Sequence, residues 1–326
     1  MKKEYYTNVT IKFGKLCYRG YEIDENETRK RVSGKLNYKP TLYLESETET
    51  EFHSLYKKPL KEKKFDSISA ARQFVKDYAD VMPIYGYAPN RFEYDFLANS
   101  FPDVLEIGID DICVGTIDIE TTVEHGRMDV INVPEEILLI TYQNLKSKKL
   151  ITFGSRPSNV SNYVLCKDES DVISKFIRYI NEDDPDIITG WNSDGFDIPY
   201  VINRGYKIIG EDKTNQLSPF GIIEMREKDI MGKFIQVFTI VGRATLDMLE
   251  LYKKFTFVKR ENNKLETICH VELGVGKLEN PYGTFREFYS GVCDVKDKPD
   301  NDAHVLRKKA YERTMMKQEL IRRGLI

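Results

Sequence analysis

The sequence predicts an α/β protein built on a mixed sheet, with a smaller α+β domain ahead of it. Two patterns carry that expectation. From residue 112 onward the chain reads strand, strand, strand, helix, strand, helix, the order of a mixed sheet with helices packed on it. The preceding hundred residues read as short strands with one good helix among them. A packed core is feasible, because hydrophobic residues make up 41% of the 326 and charged residues 31%. That length admits two modest domains. Breaks in pattern divide the chain into residues 1–105, residues 106–292, and a polar linker with a basic helical tail over 293–326.

Each element has its own local reason. Residues 6–18 alternate loosely about Val9, Ile11 and Phe13, and Gly14 marks a turn. Residues 38–44 form a second strand, with Pro40 confined to its start or to a sheet edge because proline cannot donate to the ladder. Asp66 or Ser67 caps a helix in which Ile68, Ala71, Phe74, Val75 and Tyr78 recur at helical spacing. The basic run over 57–64 reads as a solvated loop, with contact to a nucleic acid or a partner as the alternative. Pro102 and the loss of pattern mark a connection at 99–103.

Residues 112–120 are an apolar strand ending in two acids, followed by strands over 136–142 and 150–153. Ser170 caps a helix carrying Val172, Ile173, Phe176, Ile177 and Ile180. Residues 187–191 are a short buried strand, and Asp197 opens a helix that tolerates Pro199 in its first turn. Residues 222–228 and 234–241 flank Met231-Gly232-Lys233 as a long hairpin, and 245–255 is helical. Residues 294–302 are rich in helix breakers, and 303–323 is basic and helix-favouring.

Several function classes fall away on composition. The 5 cysteines are scattered and never form a Cys-x-x-Cys pair, which fits reduced thiols rather than a disulfide frame. The 4 histidines are equally dispersed, so a Cys/His zinc site is not expected. A net charge of -3 excludes a globally basic coat, so any DNA contact has to be local. No segment approaches the roughly 18–20 apolar residues of a membrane span. No apolar region follows the Lys2-Lys3 pair, so no secretory signal is expected. The chain reads as soluble, with no membrane partner.

The candidate chemistry lies in acids. Asp118 and Glu120 stand one residue apart on a predicted strand, so both carboxylates point to one face. Two like charges at the end of a buried strand are costly unless a cation neutralises them, and hard oxygen donors suit Mg²⁺ or Mn²⁺ rather than zinc. Downstream, residues 189–200 put Asn192, Phe196 and Asp197 in one strand-to-helix loop. Asp197 sits where a helix begins, Asn192 can hydrogen-bond a backbone or sugar, and Phe196 can wedge against a base. Together the two segments point to a carboxylate cluster for two metal ions. Two other features read as structural. Gly274-Val275-Gly276-Lys277 lacks the upstream glycine of a phosphate loop and has Leu278 where Ser or Thr belongs. Cys269-His270 has no orienting acid for a nucleophilic dyad.

Asp118-Ile119-Glu120 and Gly190-Trp191-Asn192 through Phe196-Asp197-Ile198-Pro199-Tyr200 resemble the first two exonuclease motifs of family-B DNA polymerases, in the form found in T-even-type bacteriophages. The likeness extends through Tyr38-Lys39-Pro40, residues 246–255 and residues 272–277, and so covers about the first 290 residues. It implies an amino-terminal domain related to RNA-binding folds and a ribonuclease H-like 3′→5′ exonuclease domain. In such a domain Asp118, Glu120 and Asp197 would be the catalytic residues and ligate two Mg²⁺ (or Mn²⁺) ions, with Asn192 and Phe196 on DNA. The hairpin around Gly232 would match the one that helps part the primer end from its template. The implied location is the host cytoplasm.

Two departures shape the expectation. Neither Asp-x-x-Ser-Leu-Tyr-Pro-Ser nor Tyr-Gly-Asp-Thr-Asp occurs, so this chain carries no polymerase motifs. The third exonuclease motif, Tyr-x-x-x-Asp, is also missing: one residue too many separates Tyr289 from Asp294, and Asp302 has Lys298 in the tyrosine place. Asp294, Asp302 or a partner residue would then complete the cluster. The expected partners are DNA, as a single-stranded 3′ end or primer-template, and a separately encoded polymerase fragment. The alternatives are a non-catalytic DNA-binding scaffold of a divided polymerase and a truncated, inactive fragment.

Overall fold

A computed structural model describes residues 3–86, 91–103, 107–126, 128–158, 161–230 and 233–276. The chain divides into two compact units, Met1–Asp111 and Ile112–Ile326. The expectations placed on Asp294, Asp302, the 293–326 tail and the tip residues Met231 and Gly232 lie outside the described residues.

In the first unit, strands β1 (Lys3–Lys12), β2 (Lys15–Ile23) and β3 (Arg29–Leu36) form an antiparallel sheet in that order. Phe13 and Gly14, at φ 50° and 72°, make the two-residue turn between the first pair, where positive φ at both positions matches the strand twist. Strands β4 (Thr41–Glu45), β5 (Phe52–His53), β6 (Pro59–Lys64) and β7 (Ile84–Tyr85) form a second sheet in the order β5-β6-β4-β7. Helix α1 (Ile68–Tyr78) starts at Ser67, whose Oγ accepts the Ala70 N–H, so serine rather than Asp66 is the cap.

Two expectations for this unit change. Most of the basic run is strand β6 rather than a loop: Leu60 turns into the core, and the Lys63 ammonium lies 4.8 Å from the centroid of the Phe74 ring. A second helix, α2 (Phe92–Ser100), follows Arg91, which makes no side-chain cap. The core gathers Leu16, Tyr18, Leu42, Ile68, Phe92 and Phe96 among others. The buried Asp95 of α2 accepts from the Tyr38 hydroxyl at 2.7 Å and the Thr41 N–H at 3.2 Å, which satisfies it without a cation.

The second unit holds a mixed six-stranded sheet. Its strands are β8 (Val114–Thr121), β9 (Ile137–Asn144), β10 (Leu150–Gly154), β11 (Tyr163–Leu165), β12 (Ile187–Gly190) and, after a separate hairpin of β13 (Ile223–Ile230) and β14 (Lys233–Ile240), β15 (Ala244–Asp247). They lie in the order β11-β10-β9-β8-β12-β15. β9 runs antiparallel to both its neighbours, whereas β8, β12 and β15 are mutually parallel. β8 and β9 are buried along their whole length, as central strands covered on both faces must be.

Helices α3 (Glu169–Asp183) and α4 (Asp197–Ile208) supply the packing: Val172, Phe176, Ile177, Ile198, Val201 and Ile202 meet Ile117, Ile119 and Ile140 of the sheet. The α3 cap is Asp168, which accepts the Asp171 N–H at 2.9 Å, and not Ser170. After the short α5 (Glu211–Thr214), the expected helix over 245–255 begins three residues late. Ala244–Asp247 is strand β15, held beside β12, and only Met248–Phe255 is helix α6. Helix α7 (Leu265–Leu273) carries the fully buried Cys269 and ends at Gly274 in the left-handed region, while Lys277 and Leu278 lie outside the described residues. No helix among the described residues is long and apolar enough to cross a membrane.

Candidate active site

The parallel strands β8, β12 and β15 all point their carboxyl ends at one edge of the sheet, and each delivers acids or an acid-bearing loop there. On β8, Ile117 and Ile119 face the core while Asp118 and Glu120 share the opposite face. Both residues are only 5% exposed. The ladder to β12 covers just Val114 to Thr116, so β8 outruns its neighbour. Beyond that point the Ile119 N–H, between the two acids, donates to Asp197 Oδ1 at 3.0 Å. This bond brings the first residue of α4 to the end of β8. Asp197 is 3% exposed, and its helix has no side-chain cap of its own.

The loop between β12 and α4 is shaped by its surroundings. Gly190 has no room for a side chain: a Cβ there would stand 2.9 Å from the Ile117 carbonyl oxygen and 2.9 Å from Ser193 Cβ. Trp191 is buried with Met248, Tyr252 and Ile268, and its indole donates to the Asn263 carbonyl at 3.2 Å, so it belongs to the core. Asn192 is exposed at φ 60°. Phe196 is half-buried against Tyr200, with ring centroids 5.4 Å apart.

The bond from the Ile119 N–H to the Asp197 carboxylate thus brings the three acids to one edge of the sheet. Their side chains do not converge into a finished cage: among the described residues no group of three or more His, Cys, Asp or Glu side chains is arranged to hold a metal ion. As a donor set they fit Mg²⁺ or Mn²⁺, being anionic oxygens in a buried setting where like charges favour a cation.

Two supporting acids escaped the sequence reading. Asp247, at the end of β15, accepts from the Asn192 N–H at 2.9 Å, the Asp194 N–H at 3.1 Å and the Leu249 N–H at 2.8 Å. The neighbouring Asp194 carboxyl is pushed up by burial first and then by the charge of Asp247. A strand followed by a capped helix would have flagged Asp247, had β15 been recognised. Glu135 accepts from the Thr122 hydroxyl, the Glu124 N–H at 2.8 Å and the His125 N–H at 2.5 Å, and so folds the segment that leaves β8 just after Glu120. Nothing local in the sequence marks it, because its partners lie ten or more residues away.

Burial opposes ionisation of Glu135, but these hydrogen bonds outweigh it and hold its carboxyl below the ordinary value of 4.5. The folded-state pKa is depressed, so the stabilisation is fully present above about 4.5 and is lost as pH falls through the folded value. Glu135→Gln should therefore melt below the wild type at pH 7, and the gap should close under acid. A gap that stays constant with pH would remove Glu135 from this role.

The family model for the DNA polymerase family B exonuclease domain matches residues 70–268, more than half of the chain. The chain belongs to the family-B DNA polymerase exonuclease domains. This family-B chain is 27% identical to the DNA-directed DNA polymerase of Escherichia phage RB69, over 87% of its own length and 35% of the relative's. It is 26% identical to the DNA-directed DNA polymerase of Enterobacteria phage T4, over 87% and 34% of the two lengths. A DNA polymerase of Thermococcus litoralis matches at 28% identity over 45% of the chain. The family-B chain therefore spans about a third of the length of the phage relatives that it matches.

Proposed function

We propose that this chain is the proofreading 3′→5′ exonuclease portion of a phage replicative DNA polymerase, hydrolysing nucleotides from a DNA 3′ end. One observation carries the reading above the others: Asp197 is hydrogen-bonded to the backbone between Asp118 and Glu120, which joins the two motif segments at one sheet edge. The strand order β10-β9-β8-β12-β15, with only β9 reversed, supports a ribonuclease H-like domain.

Asp118, Glu120 and Asp197 would hold two Mg²⁺ or Mn²⁺ ions. Such ions would supply Lewis-acid activation of water and charge stabilisation at the leaving 3′ oxygen. The protein's part is positional. β8 fixes two carboxylates on one face, and α4 brings the third against the same strand. Asn192, exposed beside them, offers an amide to the sugar or base of the terminal nucleotide. Phe196 presents part of a ring, and aromatic stacking on a base is worth about 1–3 kcal/mol. None of these residues is a histidine.

A second reading, a DNA-binding scaffold without hydrolysis of its own, is favoured by the unconverged side chains and by the absent third motif. In both readings the synthetic machinery lies in a polymerase portion outside this sequence and associates with it. Single-stranded DNA labelled at its 3′ or 5′ end separates the two. With Mg²⁺, the exonuclease releases the 3′ label at once as a mononucleotide and shortens the 5′-labelled strand stepwise. Binding without shortening, with or without the polymerase portion, would leave the scaffold.

A further inference from the structure

We propose that Asp247 is a positioning residue for nucleic-acid contact by Asn192, holding the loop between β12 and α4 in the backbone conformation that presents the Asn192 amide at the acid-bearing edge. The inference rests on the nuclease reading above and extends it to a residue outside the motif segments.

Asp247 is the last residue of β15 and stands in register with Gly190, the last residue of β12. From there its carboxylate reaches into the next loop as well as its own helix. Capping α6 uses a single bond, from the Leu249 N–H to Oδ1. The other two bonds serve the loop: Oδ1 also accepts from Asn192 N–H, and Oδ2 accepts from Asp194 N–H. A helix cap alone needs neither. The conformation held in this way is unusual, because Asn192 is a non-glycine residue at φ 60°, a region that L residues enter at a cost and keep only when their surroundings impose it.

The side chain is constrained too. A Cβ at Gly195 would stand 2.6 Å from Asn192 Oδ1, so the amide lies directly over that glycine, and the Gly195 N–H closes the turn onto the Asn192 carbonyl at 3.1 Å. The result is an exposed amide, with two donors and an acceptor, fixed in direction on a rigid loop. A carboxylate is costly to bury at this spot, where the Asp194 carboxyl already lies beside it, and a serine would cap α6 without that cost. The two bonds to the loop are what a carboxylate adds.

Asp247→Ser keeps a capping oxygen for Leu249 and withdraws from Asn192 and Asp194. Asp247→Asn is the second variant, keeping shape with one acceptor oxygen. Each is combined with Asn192→Ala, and binding of a fluorescent single-stranded oligonucleotide is read by anisotropy with Ca²⁺ in place of Mg²⁺. Amide hydrogen exchange at residues 192 and 194 is followed in parallel. The expected result is a loss of about tenfold in affinity for Asp247→Ser, the equivalent of one hydrogen bond, with faster exchange at both amides. In the Asn192→Ala background the same substitution should weaken binding no further.

Losses that multiply in the double variant would overturn the inference, since Asp247 would then act without Asn192. So would wild-type affinity with unchanged exchange. If both Asp247 variants melt far below the wild type, the residue holds the fold rather than aims a side chain, and the inference fails. A wild-type chain that binds no oligonucleotide would fail the nuclease reading first, before any variant is made.

Discussion

Asp118→Asn should give a folded chain that no longer trims DNA. The substitution is isosteric and removes one negative charge from a carboxylate that is almost fully buried at the end of β8. Glu120 lies on the same face of the strand, and Asp197 is bonded to the backbone between them. Removing one well-placed electrostatic group from an active site commonly costs about 10²–10³ in rate, and a lost metal ligand belongs at the upper end. The stability effect runs the other way. In EDTA the variant should melt at or above the wild-type temperature, because one of several crowded like charges is gone. Lost activity with retained or raised stability cannot be explained by unfolding. A variant that digests a labelled strand at the wild-type rate would take Asp118 out of the mechanism.

The largest stability effect should come from Arg204, which is not one of the candidate metal-binding residues. Its guanidinium meets Glu169 with two bonds of 2.7 Å, and Nη1 donates to the Val133 carbonyl at 2.9 Å. Glu169 Oε1 in turn accepts the Ile137 N–H at 2.7 Å, where β9 begins. Both side chains are buried, so the pair joins α3, α4 and the entry to the strand beside β8. Hydrogen bonding to Glu169 raises the Arg204 pKa further above its ordinary value.

Arg204→Ala strands the Glu169 carboxylate, and breaking a buried pair in this way costs about 3–5 kcal/mol. For a unit of this size that lowers Tm by roughly 6–20 °C. Replacing both partners, Arg204→Met with Glu169→Leu, should recover much of the loss because no charge is left buried alone. Urea unfolding of the three proteins checks the ordering. A single variant as stable as the wild type would mean that water reaches Glu169.

The part of this site that could be read from sequence is the part encoded locally. An apolar run ending in Asp118-Ile119-Glu120 has one reading as a strand, and alternation alone sets both acids on one face. Asp197 at the start of α4 was legible for a similar reason, with Pro199 tolerated in the first turn. Strand β15 was not, because its four residues merge into the apolar spacing of the helix that follows, and only parallel pairing with β12 makes them extended. As part of a helix, Asp247 has no visible task. Helix α2 lacks a side-chain cap and has little amphipathic pattern, so only Glu93 and Asp95 in its first turn announce it. The basic run over 57–64 looks like a loop in sequence because its charge outweighs the inward-facing Leu60. Glu135 was hidden most deeply: its work is done on backbone N–H groups that the fold, not the sequence, brings to it.

Anomalous diffraction from crystals of the chain soaked in MnCl₂ would show directly whether β8 and α4 build a metal centre. The carboxylates of Asp118, Glu120 and Asp197 should rotate toward one another and enclose manganese at the end of β8, as one ion or as two roughly 3.5–4 Å apart. An anomalous map with no manganese at that edge, and with Asp197 still bonded to the Ile119 N–H as it is now, would contradict the nuclease assignment.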